Sequence, residues 1–263
     1  MTAPSFSLTN RRALVTGANS GIGRAIAIGL AEAGADLVLH HFDDPGGAEA
    51  VRETVSGIGC GASVLDADFT RPGAAASLAR QALGDGPIDI LVANAAIERR
   101  GAWEALEDAV IGAHVAANFT SLLQLAGTLV PPMAARGWGR VVAIGSVLAT
   151  RPRAETVVYA SLKSAQLTAV RALARDSGPR GVTMNIVSPG AIETERAAGR
   201  YADPDFRKGV VAKIPAGRAG RPEDCVGPVI FLCSDAAAYV TGADIPVDGG
   251  WTIGDAVASS AAA

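Results

Sequence analysis

The feature of this sequence that most limits its fold is an alternation. Short apolar runs recur between longer segments with helical spacing: ALVT at 13–16 precedes 21–33, DLVLHH at 36–41 precedes 47–57, and SVLDAD at 63–68 precedes 73–83. The rhythm continues through IDILVANA at 88–95, a long helical region around 104–135, RVVAIGS at 140–146, a helix near 157–177 and VTMNIVSPG at 182–190. Such alternation predicts strands joined by helical crossovers in a parallel sheet. The strands read as unbroken apolar runs, as a sheet covered on both faces requires. Right-handed crossovers then lead to an α/β fold with a doubly wound parallel β-sheet and helices on both faces. After residue 190 the rhythm stops. Residues 191–215 are mixed and polar, a short helix follows from Pro222, and ADIPVDGG at 243–250 supplies a last strand. No low-complexity linker divides the chain, so residues 1–263 are expected to form a single domain, with a frayed AVASSAAA tail.

Composition narrows the function classes. The 49% hydrophobic content supplies a substantial core, and 23 Lys+Arg against 26 Asp+Glu leave a net charge of −3. No basic field exists to collect nucleic acid or anionic lipid, so neither nucleic acid nor membrane is an expected partner. No run approaches the ~20 apolar residues that cross a bilayer. Arg11-Arg12 lacks the apolar stretch that an export signal needs. Cys60, Cys225 and Cys233 form no CxxC pair, which fits a reducing cytoplasm rather than a disulfide framework or zinc cluster. His40 and His41 have no third ligand beside them, so no metal site is expected.

The strand ALVT runs into Thr16-Gly17-Ala18-Asn19-Ser20-Gly21-Ile22-Gly23, and Ile22, Ile26, Gly29 and Leu30 then share one helical face. A strand, a glycine turn and a helix start aim N–H groups and the positive helix end at a bound phosphate, and glycines let it approach. The spacing is GxxxGxG, and no GxxxxGK[ST] is present. Tyr159 and Lys163 stand four apart on one helix face, so an ammonium charge can favour the phenolate of a tyrosine whose ordinary pKa near 10 makes it a poor base. A solvated surface pair is the bland alternative for these two, a helix cap for Ser146, and backbone satisfaction for Asn118.

TGxxxGxG at the first turn resembles the short-chain dehydrogenase/reductase family, and further segments extend the likeness over roughly residues 8 to 252. Asn94-Ala95-Ala96 resembles its NAG motif, with alanine in place of the glycine. Asn118 matches its catalytic Asn, and Tyr159-Ala-Ser-Leu-Lys163, thirteen residues after Ser146, its YxxxK. Pro189-Gly190-Ala191-Ile192-Glu193-Thr194 resembles its PGxIxT and Asp248-Gly249-Gly250 its DGG. The resemblance implies a Rossmann-like, NAD(P)-binding catalytic domain that moves a hydride between cofactor and a secondary alcohol or ketone. It implies Tyr159 as general acid/base, Lys163 holding the nicotinamide ribose, Ser146 bonding the substrate oxygen, and Asn118 anchoring a water. The glycine turn (Gly17, Asn19, Ser20, Gly21, Ile22, Gly23), Asn94, Ala95 and Ala96, and Pro189, Gly190, Ile192 and Thr194 then line the cofactor with Tyr159 and Lys163. Asp68, with Phe69, resembles the residue that meets the adenine.

In this family the end of the second strand selects the cofactor. His41 stands where an Asp is common, followed by Phe42, Asp43 and Asp44, and no Lys or Arg lies between Arg24 and Arg52. Two carboxylates would repel a 2′-phosphate, so NAD is expected over NADP. Residues 191–215 look like the family's substrate lid, and Arg151, Arg153 and Glu155 fit a polar or anionic small-molecule substrate as well as they fit surface solvation. IETE, IPAGRAGRPED and TGADIPVDGG are similar to segments of 3-oxoacyl-carrier-protein reductases and of sugar or polyol dehydrogenases alike. The family's assembly implies a homotetramer, with a dimer as second choice. The competing reading is a non-catalytic nucleotide-sensing or scaffold protein on the same fold. An enoyl reductase or epimerase fits less well, because enoyl reductases of this lineage space Tyr and Lys more widely and epimerases are usually longer.

Overall fold

The computed structural model describes residues 5–254, and the AVASSAAA segment lies outside them. Seven strands, β1 (Arg12–Thr16), β2 (Asp36–His41), β3 (Ala62–Asp66), β4 (Ile90–Ala93), β5 (Gly139–Ile144), β6 (Val182–Pro189) and β7 (Asp244–Val247), pair in parallel in the order 3-2-1-4-5-6-7. Register runs from Arg12 opposite Asp36 to Thr16 opposite His40 on one side of β1, and Ala13 to Val15 face Ile90 to Val92 on the other. Helices α1 (Gly21–Glu32), α2 (Pro45–Ile58), α3 (Ala74–Gly84), α4 (Asp108–Val115), α5 (Ser121–Ala135), α6 (Val157–Ser177), α7 (Ala198–Tyr201), α8 (Pro204–Val211) and α9 (Val226–Cys233) complete the order.

Both faces are covered, which explains the unbroken apolar strands. Ile26 and Leu30 of α1, Val51 and Val55 of α2 and Leu232 of α9 pack on Val15, Leu39, Val92 and Val142. Leu78 of α3, Leu125 and Leu129 of α5 and Val170 of α6 pack on Leu91, Val141 and Met184 on the opposite face. Each fully buried Leu or Ile contributes ~1.5–3 kcal/mol of transfer free energy, so the doubly wound sheet is a stiff platform for whatever lies at its edge.

The differences from expectation are local. β3 ends at Asp66, leaving Asp68 and Phe69 on the following loop, and β4 is only four residues long. The helical region begins at Asp108, after one tight turn over Trp103–Ala105. Residues 191–215, expected to be irregular, contain α7 and α8, the second started by Asp203, whose carboxylate accepts N–H bonds from Asp205 and Phe206. α4 and α5 join into a 28-residue helix that is apolar and long enough to cross a bilayer, against the expectation from apolar runs. Asn118, Thr120, Ser121, Gln124 and Thr128 break the run in sequence, and in the fold Leu122, Leu125, Ala126, Leu129 and Met133 are buried in the core.

Candidate active site

A cleft of about 680 Å³ opens at the carboxyl ends of the strands, centred where the strand order reverses between β1 and β4. Neighbouring crossovers leave the sheet on opposite sides there, so a crevice forms without any side chain being carved away. Its floor is the glycine turn. Gly17 and Gly21 have φ of +64° and +53°, and a Cβ on Gly23 would lie 1.9 Å from the Gly17 carbonyl. Asn94 Nδ2 donates to Thr16 O at 2.9 Å and Gly17 O at 3.1 Å, and Thr16 Oγ1 accepts from the N–H groups of Asn94 and Ala95. The NAA segment is thus a staple that holds β4's end against the turn.

The turn suits a dinucleotide pyrophosphate, and one contact argues this directly. Glu195 Oε2 accepts the Gly21 N–H at 3.1 Å while Arg24 meets its other oxygen. An anion therefore already rests on the positive end of α1, held by a main-chain donor and a cation. A hydrogen bond from its own main chain, then Arg24 and the Gly21 N–H, keep the Glu195 carboxyl below the usual carboxylate range.

Most residues expected at the site line the cleft: Asn19, Ser20, Ile22 and Phe42 with the glycines, Asp68 and Phe69, Asn94 to Ala96, Ser146, Tyr159 and Lys163, and Pro189, Gly190, Ile192 and Thr194. His41 and Asp43 do not. Strand alternation turns His40, not His41, into the cleft, and His41 is buried behind it with Nδ1 3.5 Å from Asp66. Asp43 sits at φ 57°, turning the chain into α2. His40 was missed in the sequence, although the pairing of β2 with the end of β1 could have found it. Its Nδ1 accepts the Gly17 N–H at 3.1 Å, its Nε2 donates to Ala67 O at 3.0 Å, and its ring stacks on Phe69 at 4.2 Å. Burial pushes its pKa down to about 4, so the neutral imidazole ties three loops together. Asp68 is engaged by the Thr70 N–H and hydroxyl, and Asp44 accepts from Asn19 Nδ2 at 2.8 Å and the Gly47 N–H at 3.0 Å.

At the other end, the first turns of α6 carry Tyr159 and Lys163 into the cleft, not onto a solvated surface. Lys163 is 2% exposed, donates to Ile144 O at 2.6 Å and lies 5.4 Å from the centre of the Tyr159 ring. Burial pushes its pKa down to about 8, opposed by the charge of Glu98. The expected lowering of the Tyr159 pKa is not what this arrangement produces. Burial raises it, Glu98 raises it further, and a hydrogen bond with Ser146 and the charges of Arg196 and Arg100 offset only part. The phenol is therefore a proton donor at neutral pH. Ser146 also accepts the Leu148 N–H at 3.1 Å, so it is a cap as well as a cleft residue. Asn118 is buried behind the cleft wall in one widened helical turn, Ala116–Thr120. Its side chain pairs with both main-chain groups of Ile97 at 2.8 Å, and its own carbonyl accepts from Gln166, a residue the sequence did not single out. Gln166 is itself 3% exposed, and its Oε1 has no protein partner among the described residues.

Known proteins are similar to this chain in sequence and fold. A family model described as enoyl-(acyl carrier protein) reductase matches residues 17–252. The 3-oxoacyl-(acyl-carrier-protein) reductase of Escherichia coli K12 is 36% identical over 239 residues, 90% of this chain and 96% of that protein. The 2-dehydro-3-deoxy-D-gluconate 5-dehydrogenase of Pseudoalteromonas atlantica is 35% identical over 247 residues, 94% and 97% of the two chains. Among solved structures, a 3-oxoacyl-(acyl-carrier-protein) reductase from Agrobacterium tumefaciens C58 with NADP bound superposes with a TM-score of 0.90 at 39% identity, covering 93% of this chain and 95% of that one.

Proposed function

The chain belongs to the short-chain dehydrogenase/reductase family, and from that membership we propose that it is an NAD(P)-dependent oxidoreductase interconverting a secondary alcohol and a ketone. The observation that carries this reading is the meeting of Ser146, Tyr159 and a buried Lys163 in one cleft with the glycine turn. NAD(P), when bound, gives or accepts the hydride. Tyr159 passes the proton to or from the substrate oxygen, and burial keeps its phenol protonated, the form that donates as a ketone is reduced. Ser146 orients that oxygen, Lys163 holds the ribose side of the cofactor and supplies positive charge, and Asn118 fixes the loop after β4 through Ile97. The turn from Gly17 to Gly23, Asp68 with Phe69, Asn94 to Ala96, and Pro189 to Thr194 hold the dinucleotide. Residues 191–215 are the substrate lid of one catalytic domain.

Several solved relatives were obtained with NADP, which gives no support to the expectation of NAD. In favour of NAD stand this chain's own groups: Asn19 holds an ionised Asp44 beside the turn, and no Lys or Arg lies between Arg24 and Arg52 to meet a 2′-phosphate. For a homotetramer stand the exposed Val115, Leu123 and Val157 on α4, α5 and α6. Three free cysteines suit the cytoplasm. A panel of sugars, polyols, steroids, short secondary alcohols and β-ketoacyl thioesters, read as NAD(P)H absorbance with each cofactor, tests the reading. Turnover of at least one is expected. Tight cofactor binding with no turnover by any would favour a nucleotide-sensing scaffold.

A further inference from the structure

The mouth of the cleft has a charge opposite to that of the chain. Five arginines line it, Arg99, Arg100, Arg153, Arg196 and Arg200, in a protein of net charge −3. The lining carboxylates are already engaged: Glu98 pairs with Arg100, and Glu195 is held by Arg24 and the Gly21 N–H. Glu155, just outside, pairs with Arg153 at 3.7 Å and Arg100 at 4.0 Å. Among the described residues no carboxylate oxygen lies within 4 Å of the guanidinium of Arg99, Arg196 or Arg200, while the neighbouring lid arginine Arg207 is tied to Glu193. Among the described residues these three cations thus have no counter-ion, and they line the same cleft as Tyr159.

We propose that Arg196, Arg99 and Arg200 form a carboxylate subsite, and that the substrate is a small hydroxy or keto acid whose carboxylate docks there while its carbinol carbon faces Tyr159. The inference rests on the oxidoreductase reading and names its substrate class. Guanidinium forks match carboxylates in shape and charge. Because Arg99, Arg196 and Arg200 line the same cleft as Tyr159, they suit a compact acid better than an acyl-carrier thioester. In such a thioester the reacting ketone has a neutral chain about it, and the nearest fixed negative charge is a phosphate at the far end of the pantetheine arm. Arg151 and Arg153, the arginines conspicuous in sequence, are not the docking groups: Arg153 is paired with Glu155, and Arg151 donates to the Trp251 carbonyl.

The test compares each acid with its uncharged counterpart: gluconate with sorbitol, glycerate with glycerol, lactate with isopropanol, alongside a 3-oxobutyryl thioester of N-acetylcysteamine. The expected result is an acid preferred over its neutral partner by roughly 100-fold in kcat/KM. Arg196→Gln then loses roughly 10- to 100-fold, mainly through KM, and Arg196→Lys recovers part. Neutral partners used as well as acids, a thioester used best, or an acid preference that survives Arg99→Gln, Arg196→Gln and Arg200→Gln combined would overturn the subsite while leaving the oxidoreductase reading intact. If nothing turns over, that reading has failed, and titration calorimetry of the enzyme–NADH complex with the three acids decides the subsite. Binding lost in the triple variant supports it, and no binding to the wild-type protein overturns it.

Discussion

The two ends of the cleft are built differently. The floor, around the glycine turn, is made of main chain, buried side chains and neutral hydrogen bonds: Gly17, Gly23, Asn94 and His40 lock one another in place. The mouth is made of long charged side chains from the loop after β4 and from the 191–215 segment, several of them exposed. A floor of this kind admits one shape and recognises what every member of a cofactor class shares. A mouth of flexible cations can change its ligand by changing one residue.

The harshest way to break the floor is to add one methyl group. Gly23→Ala puts a Cβ 1.9 Å from the Gly17 carbonyl, with Asn94 Nδ2 at 2.5 Å, so the turn must open. NADH affinity, measured by fluorescence titration, is expected to fall by at least about 100-fold, consistent with the 1–3 kcal/mol typical of overpacking plus lost phosphate contacts. Near-normal affinity would mean that the turn does not hold the cofactor.

A gentler break comes through His40. The folded protein protonates it only near pH 4, the unfolded chain near 6.5. Between these values the unfolded state binds more protons, so stability falls as pH drops from 6.5 toward 4, by up to about 3 kcal/mol, and is indifferent to this group above 6.5. Urea unfolding at pH 7 and pH 4.5 should show that loss in the wild type and a smaller one in His40→Asn. Equal losses would remove His40 from the account.

The smallest effect sharpens where floor and mouth meet. Glu195 belongs to the lid segment but rests on the floor's helix end. Glu195→Gln removes an anion that competes with pyrophosphate there, so NADH binding is expected to tighten about two- to fivefold, the range of a single charge at a helix terminus. Weaker binding would instead make Glu195 part of the cofactor site.

The same contrast explains what was legible in the sequence. The sheet was readable because both faces are covered and strands such as β1 and β4 are largely apolar runs. The glycine turn was readable because its requirements fall on backbone, where only glycine serves. Tyr159 and Lys163 were readable because spacing on a helix is geometry. His41 was misplaced because one residue of strand parity decides which side chain faces the cleft, and His40 took that position; Asp43 was misplaced because the chain turns there into α2. The direction of the Tyr159 pKa was missed because it depends on burial and on Glu98, which arrives from a different loop. The unpaired arginines were hidden for the same reason, since which carboxylate neutralises which guanidinium is settled only in three dimensions. α7 and α8 were hidden because, at four and eight residues, they are too short for a helical repeat to stand out.

On the proposed function, Tyr159 moves the proton in a cleft whose floor binds the dinucleotide independently. Tyr159→Phe separates the two in one experiment: kcat on the best substrate of the panel beside the NADH dissociation constant. A loss of ~10²–10⁴-fold in kcat with cofactor affinity unchanged is expected. Wild-type turnover in Tyr159→Phe would contradict it.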